Sequence, residues 1–101
     1  MSTLNGRWDC ITKTPMGDKP SIITFVVAGD TFSGHDEGEA GKLELHDGKI
    51  DGEVISWNLK VSKPFPLTLK FKASIDGDQL SGKVQAGLLG TAKISGRRIG
   101  D

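Results

Sequence analysis

The chain has 101 residues, 13 basic and 13 acidic side chains, a formal net charge of zero and 36% hydrophobic residues. That length suits one small domain over residues 1–101 with a modest core, and the balance excludes a strongly basic or acidic chain. A single cysteine, Cys10, excludes an internal disulfide, and no apolar stretch is long enough to span a membrane. The start Met1-Ser2-Thr3-Leu4 carries no secretory signal pattern, so a cytoplasmic location is the expectation. Fourteen glycines suit many tight turns better than long helices.

Taken in chain order, the apolar residues alternate with period two. Leu4, Gly6, Trp8 and Cys10 share one face of a first strand, and Thr14–Pro20 reads as a loop. Ser21–Ala28 is apolar on both faces. With Ile23, Phe25 and Val27 inside, Ile22 and Val26 lie outside, which predicts a subunit contact and a homodimer. After a third strand, Glu37–Ala40 reads as a turn, and Leu43 and Leu45 mark strand four. Ile55, Trp57, Leu59 and Val61 follow in strand five, then Leu67, Leu69, Phe71, Ala73 and Ile75 after Ser62-Lys63-Pro64. Leu80, Gly82, Val84, Ala86 and Leu88 line strand seven, the turn Gly87–Gly90 follows, and Ala92, Ile94, Gly96 and Arg98 line strand eight. The expectation is an all-β fold, an eight-stranded antiparallel up-and-down (meander) barrel, with a bend at Gly52-Glu53 as the place for a ninth strand.

Three hairpins share an outline: Gly29-Asp30 before Phe32-Ser33-Gly34, Asp47-Gly48 before Ile50-Asp51-Gly52, and Gly77-Asp78 before Leu80-Ser81-Gly82. Each supplies residues that tolerate positive φ in a tight turn, followed by an apolar anchor. The acids are too sparse for a calcium loop, and no helix follows to make a phosphate loop.

Gly6-Arg7-Trp8 and the distant Arg97-Arg98 complete the barrel reading. A planar indole closes one end, and a planar cation from the last strand, Arg98 with Arg97 as its alternate, covers the ring. Gly6, Trp8 and Arg98 are thus a structural plug. With the run to Val27-Ala28-Gly29-Asp30 and Phe32-Ser33-Gly34, the chain resembles the streptavidin-like branch of the calycin barrels. It is similar, too, to small bacterial domains rich in Gly-Asp-x-Phe-Ser-Gly hairpins. The resemblance implies a site in the barrel mouth. The biotin site does not carry over: the family's asparagine falls on Cys10, its tyrosine on Asp36, and two of its stacking tryptophans are missing, leaving only Trp8 and Trp57.

Residues 36–53 hold Asp36, Glu37, Glu39, Glu44, Asp47, Asp51 and Glu53 against Lys42 and Lys49. Residues 60–98 hold Lys60, Lys63, Lys70, Lys72, Lys83, Lys93, Arg97 and Arg98 against Asp76 and Asp78. These stretches form opposite walls of a meander barrel, either as solvated faces or as a charge-complementary self-contact. No aromatic run accompanies the bases, which argues against nucleic acid as a partner.

His35-Asp36-Glu37 is the densest titratable cluster, but neighbours on a strand point to opposite faces. A hairpin turning over Glu37–Ala40 would set His35 opposite Lys42 and His46 opposite Thr31, too far apart for one metal ion, so no metal or other cofactor is expected. Cys10 shares the inward face with Trp8 and reads as a small hydrophobe. Three readings follow. The first is a non-enzymatic barrel binding a small apolar ligand in its lumen, walled by Trp57, Phe25, Phe71 and Cys10. The second is an accessory domain with a filled core, acting by self-association or docking on an enzyme. The third is an enzyme using Asp36, Glu37 or His35 at the mouth.

Overall fold

A computed structural model describes residues 4–15, 17–39, 41–62, 66–87 and 90–100. The described residues form nine strands: β1 (Gly6–Thr14), β2 (Gly17–Ala28), β3 (Thr31–Gly38), β4 (Gly41–Glu44), β5 (His46–Asp51), β6 (Val54–Val61), β7 (Leu67–Asp76), β8 (Gln79–Gln85) and β9 (Thr91–Gly100). Every pairing is antiparallel, and β1 joins β9 while β2 joins β3. The sheet therefore closes into an eight-stranded up-and-down barrel in which β4 and β5 together occupy one place. Closure pairs both edges of every strand in the ring except β4, which among the described residues pairs with β3 alone. Met16, Ala40, Lys63, Pro64, Leu88 and Leu89, all parts of expected strands or turns, lie outside the described residues.

The ninth element does not come from Gly52-Glu53, which forms the two-residue turn between β5 and β6. The break falls at Leu45. Before it, Glu44 stands opposite His35; after it, Gly48 stands opposite Phe32, a slip of one residue against β3. Gly48 is required there, because a Cβ would lie 2.7 Å from the Phe32 ring. Asp47 beside it takes the left-handed conformation (φ 54°), which asparagine and aspartate tolerate best.

The expected histidine registers are also corrected. Gly38 pairs with Gly41, so β3 runs two residues into the expected Glu37–Ala40 turn while β4 begins at Gly41. His35 consequently faces Glu44, not Lys42; Thr31 faces Lys49; and His46 pairs with Asn58 on β6.

Inward residues fill the barrel. Trp8, Cys10 and Ile23 are fully buried, and Phe25, Trp57, Leu59, Phe71 and Ile94 nearly so. The aromatic rings form one connected set across the lumen. Trp57 and Phe71 are direct cross-strand partners whose rings stack at 4.8 Å and 10°, while Phe25 meets Trp57 edge-on at 5.4 Å. Phe32 closes on Phe25 at 5.2 Å, and Trp8 on Phe25 at 6.4 Å. Such offset and edge-to-face contacts are the favoured aromatic geometries and add to the gain from burial. Small residues fit between the large ones: Gly82 faces Ala73, and a Cβ on Gly82 would lie 2.6 Å from the Ala73 Cβ.

Candidate functional site

Three regions could carry function: the plugged end, the opposite mouth and the outer wall. At the plugged end, Trp8 on β1 and Arg98 on β9 are paired across the sheet, with the Arg98 guanidinium carbon 5.5 Å from the indole centroid. The indole Nε1 donates to the Leu4 carbonyl at 2.8 Å, which folds the chain before β1 under the ring. Arg98 also donates to the Asn5 carbonyl, and its Nε stands 3.4 Å from Asp78. The planar cation thus has both a ring face and oxygen acceptors, a combination that lysine cannot reproduce. Arg97 points outward, opposite Asp9 and Gln79.

Trp57, Phe25, Phe71 and Cys10 come together inside the barrel, at exposures of 1%, 1%, 5% and 0%. Three rings, those of Phe25, Phe32 and Phe71, contact the Trp57 ring. Its Nε1 is buried without a hydrogen-bond partner among the described residues. Such a donor costs free energy unless a water or ligand oxygen meets it.

Toward the mouth, Asp36 pairs with Ile23 and Leu43, so it shares their inward side, while His35 lies on the other face. Burial pushes the Asp36 carboxyl above the usual carboxylate range, against the opposing pull of a hydrogen bond with Ser21 and the nearby His35. Cys10 faces Ser21 across the β1–β2 pair. Burial, reinforced by the Asp36 and Asp9 carboxylates, pushes its thiol up to about 12, so it stays protonated and a poor nucleophile at neutral pH. His35 is held instead at the outer wall by Glu37, 3.2 Å from its Nε2. No group of three or more metal-binding side chains occurs among the described residues.

The outward residues of β2 are split in character. Val26 is 54% exposed and faces Ser33; Ile22 is half-buried between Asp9 and Glu37. Open grooves mark the outer wall, and two of them are the larger. One, of about 450 Å³, is lined by Ser33, Gly34, His35, Lys42, Glu44 and Leu45 and has mixed charge. The other, of about 540 Å³, lies over β6–β9 and contains lysines but no carboxylate. Period-two alternation puts Trp57, Phe25, Phe71 and Cys10 on the inward face; the wall groove was missed, because it depends on the register between neighbouring strands.

Comparison with protein-family models and with curated proteins finds no match to this chain.

Proposed function

We propose that this chain is a non-enzymatic accessory barrel of streptavidin-like type, with its lumen filled by its own aromatic side chains and its contacts made through the outer wall. The observation that carries this reading is the enclosure of Trp57 by Phe25, Phe32 and Phe71. Those rings occupy the mid-barrel positions where a carrier of this size would hold its ligand. Up-and-down order and the Trp8–Arg98 pair support the streptavidin-like assignment. A homodimer through β2, centred on Val26 and Ile22, fits the surface-acting role.

A second reading, a small ligand in the lumen, is favoured by one feature. The unpartnered Trp57 Nε1 and the inward Asp36 carboxyl would suit a mostly apolar molecule with one or two polar atoms. The enzyme reading has less support, since His35 and Asp36 face opposite sides of the sheet.

Benzene or xenon uptake separates the first two. The native chain is expected to take up neither, whereas Trp57→Ala opens an apolar cavity that accepts them, at a cost of about 3–5 kcal/mol in stability. Saturable uptake by the native chain would show an open lumen and overturn the filled-core reading.

A further inference from the structure

Four lysines stand in one transverse row across the outer wall. Lys13 on β1 faces Lys93 on β9, Lys93 faces Lys83 on β8, and Lys83 faces Lys72 on β7. All four are exposed. The row ends at Ser56 on one side and at Asp18 on the other. Directly opposed side chains have their Cβ atoms about 4.5–5.5 Å apart, so each of the three lysine pairs is a repulsive contact within the sheet.

Elsewhere the same barrel opposes unlike charges. Glu37 faces Lys42, and Asp9 faces Arg97. Folding alone therefore gives no reason for the lysine row. Its flanks are donors as well. On one side Lys70 lies between Asn58 and Gln85; on the other Ser74, Ser81 and Ser95 stand in register. The groove over this wall is lined by Lys70, Lys72 and Lys83 with Ser56, Asn58, Gln85 and Thr91. Phe71, which also borders it, has its ring turned inward at 5% exposure.

We propose that this wall binds linear polyphosphate. This names a partner for the surface-acting barrel proposed above and rests on that reading. Lysine ammonium groups act as point charges for phosphate, and hydroxyl and amide donors can take the remaining oxygens. The row crosses four consecutive strands of an eight-stranded barrel and so curves around the wall, which suits a flexible chain and not a flat surface. No aromatic side chain points outward from β1, β6, β7, β8 or β9, so nothing there can stack a nucleobase. A chain of phosphates without bases meets both conditions. The acidic residues of β3–β5 lie across the barrel and orient the molecule toward the polyanion.

The full chain is titrated with inorganic polyphosphate while backbone amide shifts are followed by NMR. Saturable binding is expected, with shifts confined to β6, β7, β8, β9 and β1. Four released counterions at ~0.7 each imply an affinity loss of roughly 50-fold between about 50 and 200 mM salt. Lys83→Glu replaces two repulsive pairs by attractive ones, so it is expected to lower affinity at least tenfold while the thermal midpoint holds or rises. Lys42→Glu, on the other wall, is expected to bind like the native chain. Absence of saturable binding overturns the proposal. So does equal or tighter binding of single-stranded DNA or heparin, or concentration-dependent shifts of the same residues without ligand, which would assign the wall to a second copy. Benzene uptake reports on the lumen alone, so a failed filled-core reading and a failed polyphosphate site are distinguishable.

Discussion

Arg98 stands over Trp8 as its direct cross-strand partner, so the first and last strands close the barrel with one side-chain pair as well as with their backbone ladder. The guanidinium serves the indole face, the Asn5 carbonyl and Asp78 together. Arg98→Ala is expected to lower stability by about 2–3 kcal/mol, from a charge-assisted hydrogen bond and a cation–π contact. Arg98→Lys should recover less than half of that, and Asp78→Ala should cost under ~1 kcal/mol because Asp78 is 71% exposed. Urea unfolding of the three variants checks the order; equal stability of Arg98→Ala and the native chain would remove the pair's structural role.

Asp36 gives a pH dependence of defined sign. Its folded pKa lies above the unfolded one because of burial, so folding takes up a proton. The stability contributed by the neutral carboxyl is whole below the ordinary carboxylate range and is lost as pH rises through the raised folded value. Asp36→Asn is therefore expected to melt higher than the native chain at pH 7, with the gap closing on acidification. A gap that widens toward acid would contradict an inward, desolvated carboxyl.

Cys10 is expected to be inert. With its thiol pushed up to about 12, reaction with a disulfide reagent at pH 8 should be limited by opening of the barrel and should speed up in urea. Stoichiometric labelling of the native chain within minutes would show that the mouth admits reagents as far as Cys10. Gly96→Ala offers a steric counterpart, since the added Cβ would lie 2.5 Å from the Cys10 sulfur. That substitution is expected to cost about 1–3 kcal/mol by overpacking.

Val26→Lys tests the proposed dimer contact. Sedimentation equilibrium should show the native chain as a dimer and the variant as a monomer of unchanged fold. A monomeric native chain would leave Val26 as an isolated exposed side chain, of a kind common on protein surfaces.

Much of the barrel was legible in the sequence because one buried face forces strict alternation. The inward residues Trp57, Leu59, Phe71, Ala73 and Ile75 stand out against Asn58, Lys70, Lys72 and Ser74. The Trp8–Arg98 pair was legible too, since a plug needs one large ring and one planar cation at the two chain ends. The break at Leu45 was not. It goes with the close approach of Phe32 to Gly48, a contact between strands that local pattern does not contain. The lysine row stayed hidden for the same reason. Each lysine occupies an ordinary outward position in its own strand, and only the register aligns Lys13, Lys93, Lys83 and Lys72.

Native mass spectrometry of protein purified without added ligand tests the filled lumen most directly. The expected spectrum shows the bare chain, or a whole multiple of it, with no added mass. A few hundred daltons of extra mass, released on denaturation and retained when Lys83→Glu is introduced, would place a ligand among Trp57, Phe25 and Phe71 and contradict it.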